Sequence, residues 1–281
     1  MTAGLERQFS LAYLTILGTP PTRMVEVAAE TGYDFVSLRL KPVTPDEPHF
    51  PFLTDPTLAA DVIKAMEEYS VPLLDVELIR TDPESDIDEF KPFIEVSAEM
   101  GARHVIVQVP LADRRLAIEG FQSLCDLAAP HEMTVDLEFI PWTPTVDLDA
   151  AVEIVTKANR PNGGVLVDTL HFYRSESSVT RLGELPGGLF NFVQLCDARA
   201  PVSHSEEEMI HIARADRQPP GQGVIDLGAI VGAMPVVPYA LEVPNDAKRL
   251  ELGAVEYARQ VLQVTREFFD IIDAGEKAVT A

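Results

Sequence analysis

The chain has 281 residues, 46% of them hydrophobic, and 45 acidic side chains against 22 basic ones give it a formal net charge of −23. That length suits one large α/β barrel or two ordinary domains, with enough apolar residues for a substantial core. So acidic a chain is repelled by nucleic acid and by anionic membrane surfaces, which argues against either as a partner. Cys125 and Cys196 lie far apart in apolar contexts, as buried thiols of a reducing compartment do. No apolar leader-like stretch opens the sequence, and nowhere do about 18 apolar residues run together. A soluble, cytoplasmic protein is expected.

Strands and helices alternate along almost the whole length. Phe9–Ile16 reads as a first strand and Thr22–Thr31 as an amphipathic helix stopped by Gly32. Phe35–Leu40 is a second strand ending near Arg39, followed by a Pro-rich loop, Pro42–Pro56. Thr57–Tyr69 is helical, and Pro72–Ile79 is a third strand carrying Glu77. A helix over Ile87–Met100 precedes the strand His104–Val109, with Gln108 near its end. After a helix over Arg114–Ala129, Thr134–Ile140 carries Glu138 and runs into Pro141-Trp142. Leu148–Ala158 is helical, and Val165–Asp168 is a sixth strand with His171 three residues beyond it. A short helix over Val179–Leu182 leads to the strand Asn191–Cys196, which carries Gln194. Ala198–Val224 is too long for an ordinary connection and reads as a loop or short helix covering a site. Ile225–Met234 is helical, Pro238–Val243 is an eighth strand with Glu242, and Glu251–Ala274 is a long final helix.

Eight such units predict a single-domain (β/α)8 barrel, with the barrel over about 9–274 of residues 1–281. An open doubly wound sheet is disfavoured because LGTPPT, after the first strand, is no Gly-rich phosphate loop.

On a barrel, Glu138, Asp168, Gln194 and Glu242 terminate four neighbouring strands and converge at the mouth. Three carboxylates there require a counter-charge. A divalent cation supplies one and leaves about −1, and oxygen ligands favour Mg²⁺ or Mn²⁺. The alternatives are that Asp168 merely caps a helix and that the glutamates pair with barrel arginines such as Arg39.

The segments LEFIPW, VLVDTLHFYRS, FVQLCDA, RADRQPPGQG and ALEVP resemble the xylose-isomerase-like TIM-barrel family, often described as sugar phosphate isomerases/epimerases. The resemblance covers essentially the whole chain. It implies Glu138, Asp168 and Glu242 as metal ligands, Glu138 and Glu242 as the acid/base pair, and His171 as a substrate-hydroxyl contact. Many sugar epimerases of the family carry a histidine where this chain has Gln194. Glutamine there, with the PGQG loop, also resembles a 3-dehydroshikimate dehydratase branch.

The expected activity is a metal-dependent isomerase or epimerase of a small keto-sugar or cyclic polyol. It would act by proton abstraction next to a carbonyl through a metal-stabilised enediolate. A dehydratase is the alternative, and a barrel that has lost catalysis is a third reading. Arg217, Trp142, Gln108 and Arg39 are further candidate substrate contacts, with His204 and His211 read as exposed. The partner is a small polyhydroxylated carbonyl compound, and Ala198–Val224 is the candidate contact for a homo-oligomer.

Overall fold

A computed structural model describes residues 7–44, 47–201 and 205–279, the last four by their backbone alone. Eight parallel strands close into a barrel in chain order. They are β1 (Phe9–Leu11), β2 (Phe35–Arg39), β3 (Leu73–Arg80), β4 (His104–Gln108), β5 (Thr134–Glu138), β6 (Gly163–Asp168), β7 (Val193–Leu195) and β8 (Tyr239–Leu241). Closure comes from β1 lying on β8, with Phe9 opposite Tyr239 and Leu11 opposite Leu241.

The helices wrap the outside: α1 (Pro21–Thr31), α2 (Pro56–Tyr69), α3 (Lys91–Glu99), α4 (Arg114–Ala128), α5 (Leu148–Ala158), α6 (Thr169–Arg174), α7 (Val179–Gly183), α8 (Glu206–Ala215), α9 (Leu227–Gly232), α10 (Asp246–Leu252) and α11 (Ala254–Val279). Local chemistry starts them where they start. Asp55, Asp113, Asp147 and Asp226 each accept a hydrogen bond from a backbone N–H in the first turn of the helix that follows. None of the described helices is long and apolar enough to cross a membrane.

The two-residue period of the strands separates scaffold from site. Val36 and Leu38, Val105 and Val107, Val135 and Leu137, Val165 and Val167, Val193 and Leu195, and Tyr239 and Leu241 join the large apolar layer between strands and helices. Residues of the opposite parity point inward, and Phe35, Ile106, Leu166, Phe192 and Ala240 meet in a second apolar cluster that plugs the barrel. Stepping two residues on along the same face from each of these gives, in turn, Ser37, Gln108, Asp168, Gln194 and Glu242. Ser37 is followed on that face by Arg39 at the end of β2, and Glu138 closes β5 by the same parity.

Several elements depart from the sequence reading. The strand expected over Phe9–Ile16 ends at Leu11, and Tyr13–Ile16 forms a buried 3₁₀ turn. Those apolar residues are there for burial rather than for pairing. α6 and α10 are short helices that the periodicity did not announce. The expected final helix is two: Gly253, at φ +78°, breaks the chain between α10 and α11 in a conformation that favours glycine.

The long connection after β7 contains α8, and isolated antiparallel bridges pin it on both sides of Arg217. Asp197 pairs with Gln218 and Asp216 with Asn245. Residues 202–204, among them His204, lie outside the described residues, and His211 is exposed.

Candidate active site

Glu138, Asp168, Gln194 and Glu242 are all buried at the carboxyl ends of their strands, and Asp168 and Gln194 are direct neighbours in the β6–β7 ladder. Ligand atoms of Glu138, Asp168 and His171 lie within 4.8 Å of one another. His171 Nε2 stands 3.7 Å from Glu138 Oε1, and its Nδ1 has no hydrogen-bond partner. The amide oxygen of Gln194 is likewise buried, and neither atom has a partner among the described residues. An orphaned buried acceptor costs free energy unless something occupies it. This oxygen-rich set therefore fits a bound cation.

Asp168 has two functions at once. Its Oδ1 accepts hydrogen bonds from the backbone N–H of Leu170 (2.8 Å) and His171 (3.1 Å), starting α6. Its Oδ2 accepts from Arg217 Nη1 at 2.6 Å. Cap and site residue, weighed as alternatives from the sequence, are both true of one side chain.

Arg217 is the residue the sequence placed least well. A surface loop with two arginines ordinarily suggests solvated cations, yet Arg217 is only 2% exposed. Its Nη2 pairs with Glu242 Oε2 at 2.9 Å while its Nε donates to the Ala213 carbonyl at 2.8 Å. Part of the counter-charge for the carboxylates is therefore built into the chain. Glu138, Asp168, Glu242 and Arg217 together carry a formal charge of −2, which one divalent cation brings to zero.

These charges shape one another. Burial raises the Glu138 carboxyl to about 7, helped by the neighbouring Asp168 and opposed by the Gln108 amide. Burial also raises Glu242 well above its ordinary range despite Arg217. At Asp168 burial is the largest influence and pushes the same way, but the charge and hydrogen bond of Arg217 together with the contacts to His171 hold the carboxyl low. Two acids share one guanidinium, so one of the pair bears the cost of burial. His171 is lowered to about 4 by burial and is neutral near pH 7, a state in which one ring nitrogen can accept or coordinate.

The other candidates line the same pocket. Gln108 Nε2 donates a short hydrogen bond to Glu138 Oε2, while Gln108 Oε1 accepts from Arg80 Nε at 2.7 Å. Arg39 does not pair with Glu138 or Glu242. It is held between Glu77 (2.6 Å) and Glu47 (2.8 Å), and the latter comes from the Pro-rich loop. Trp142 sets its ring edge-on to His171 at 5.2 Å between centroids and walls the pocket. Sequence reasoning did not select Arg80 or Glu47. Arg80 could have been found from its strand register, since it pairs opposite Gln108.

Comparison with known proteins places this geometry. The sequence matches the family model described as "Xylose isomerase-like TIM barrel" over residues 25–268. An inosose isomerase of Bacillus velezensis is 25% identical over 260 residues, covering 86% of each chain. A 3-dehydroshikimate dehydratase of Pseudomonas putida is 24% identical over 257 residues, covering 86% of this chain but 39% of that longer protein. Among solved structures, the IolI protein with a bound zinc atom superposes with a TM-score of 0.76 at 22% identity, covering 94% of this chain and 97% of that one. The pattern of strand-end acids thus sits on the expected scaffold, and the chain belongs to the xylose isomerase-like TIM barrel family.

Proposed function

We propose that the protein is a divalent-metal-dependent isomerase or epimerase of a small keto-sugar or cyclic polyol. The observation that carries this reading is the convergence of Glu138, Asp168 and His171, with His171 Nδ1 and the Gln194 amide oxygen buried and without a partner among the described residues. Relatives named inosose isomerase support the substrate class.

Glu138, Asp168, Gln194 and Glu242 would hold the ion, Mn²⁺ or Mg²⁺ by the hardness of their oxygens. When bound, it supplies a Lewis acid for adjacent carbonyl and hydroxyl oxygens of the substrate. Glu138 is the better-placed base: Gln108 engages its Oε2, while Oε1 faces His171 Nε2 at 3.7 Å. Glu138 removes the proton beside the carbonyl, and the resulting enediolate lies between it and Glu242. Return of a proton by Glu242 to the other face epimerises; return to the neighbouring carbon isomerises. Neutral His171 and the Arg217 guanidinium orient substrate hydroxyls, and Trp142 excludes water from one wall.

A second reading, a dehydratase acting on a 3-dehydroshikimate-like ring, is favoured by Gln194 on β7 and by relatives of that name. It differs only in the last step, expulsion of a β-hydroxyl in place of reprotonation.

Metal analysis coupled to solvent deuterium exchange over keto-sugars, inososes and 3-dehydroshikimate tests both. We expect stoichiometric Mn or Mg and deuterium entering one substrate, with an ultraviolet chromophore only if dehydration occurs. Glu138→Gln and Glu242→Gln should each lose at least roughly a hundredfold in exchange rate. Full exchange in either variant removes that residue from proton transfer. A metal-free protein still inert after Mn²⁺ or Mg²⁺ is added overturns the proposal.

A further inference from the structure

The pocket has two electrically different ends. Its deep end holds the carboxylates and Arg217. Its outer end carries Arg80, at the tip of β3, and Arg214, in the last turn of α8, and both are exposed to solvent there. Among the described residues Arg80 is tied only by its Nε, to the Gln108 amide at 2.7 Å, which leaves both terminal nitrogens without an acidic partner there. Arg214 makes neither an ion pair nor a hydrogen bond among the described residues. In a chain with about two acids for every base, guanidiniums facing one pocket without a carboxylate are out of place unless something else supplies the anion. Desolvation and then the nearby Arg214 and Arg39 charges lower the Arg80 guanidinium, against the pull of Glu138.

The formal charge of the whole pocket points the same way. Arg39, Arg80, Arg214 and Arg217 face Glu47, Glu77, Glu138, Asp168 and Glu242, four cations against five anions. A divalent cation on the deep carboxylates turns that deficit into one surplus positive charge, located at the outer end. A substrate with one negative charge brings the assembly to neutrality. The spacing is suitable as well, because Gln108 bridges Arg80 to Glu138. An anionic group on Arg80 therefore sits one amide's width from the proposed base.

We propose that Arg80 and Arg214 form a carboxylate-binding subsite, so that the substrate is a polyhydroxylated carbonyl compound bearing one carboxylate. A planar guanidinium fork matches a carboxylate in two parallel hydrogen bonds. A phosphate monoester would overshoot the single surplus charge. The inference rests on the proton-transfer reading for the location of the reacting carbon, but not for the binding itself. It narrows the substrate to a sugar acid or a carboxylated ring, and excludes free inososes and unmodified ketoses as best substrates.

The test is equilibrium binding by calorimetry, with Mn²⁺ present, of charged and uncharged partners: shikimate with methyl shikimate, gluconate with glucitol, galacturonate with galactose. We expect at least one carboxylate to bind tenfold or more tightly than its neutral partner. Arg80→Gln and Arg214→Gln should each reduce that preference by roughly tenfold, leaving the neutral partner's affinity and the melting temperature unchanged. No preference anywhere in the panel, or one that survives both substitutions, overturns the subsite. So does tighter binding of fructose 6-phosphate than of any carboxylate. Deuterium exchange into a neutral inosose, with no preference for any carboxylate in binding, would keep the proton-transfer reading and remove this one. Arginine-dependent carboxylate binding by a protein that exchanges nothing would do the reverse.

Discussion

His104 lies inside the barrel, stacked on Phe192 with 5.1 Å between ring centroids and its Nδ1 2.7 Å from Thr134 Oγ1. Burial, aided by Arg103, lowers its imidazole to about 4. The folded protein therefore keeps it neutral while the unfolded chain protonates it from pH 6.5 downward. Its contribution to stability is complete above pH 6.5 and is lost as the pH falls towards 4. Asp136, raised to about 6 by burial against its hydrogen bonds to Thr134 and Asn191, acts in the opposite sense over the lower part of that window. His104→Gln should therefore gain about 2 kcal/mol on wild type between pH 7.5 and pH 4.5, read from urea unfolding. Parallel profiles would show that His104 is protonated inside the fold. At the scale of single residues, the acids were legible because each ends an apolar run. Arg217 was legible as a candidate contact but not as a buried partner of the acids: its burial depends on Asp168, 49 positions away, and on Glu242, 25 positions away. No local pattern encodes such a partner.

The connection between β7 and α9 shows what an element contributes to a site. Asp197 accepts from the backbone N–H of Ala198 and Ile225 through Oδ1 and of Gly223 through Oδ2. A Cβ at Gly223 would stand 2.3 Å from both the Ala198 carbonyl and Asp197 Oδ1, neither of which can move freely. Gly223→Ala should cost about 2 kcal/mol, seen as a fall of several degrees in melting temperature. It should also weaken retention of the proposed metal, because Asp197 is bridged to Gln218, beside Arg217. An unchanged melting temperature would mean that the loop relaxes around the methyl group. The PGQG segment was noticed in the sequence for its likeness to relatives, and its steric reason appears only with the fold. Strands were legible wherever apolar residues alternate or run together, as in β4 and β5. They were overextended at β1, β7 and β8, where flanking residues are buried without being paired. α6 and α10, of six and seven residues, are too short to leave a period.

For the molecule as a whole, −23 formal charges on one chain oppose its own compaction. Raising NaCl from about 10 mM to about 300 mM should raise the melting temperature at neutral pH by screening that repulsion. The buried Arg217 pairs lie out of reach of such screening, so a fall would mean that exposed pairs such as Arg115–Glu119 outweigh the repulsion. The same charge makes the two outer arginines, without an acidic partner among the described residues, a local exception on an acidic chain. The closed ring has a further consequence, in time rather than in space. β1 finds its second neighbour only in β8, some 230 residues later, and Arg7 finds Asp273 later still. During synthesis the first strand must wait, with one side unpaired, until β8 has left the ribosome. Glu242 arrives with that closing strand, so the site can assemble only as the last step of the barrel's own completion.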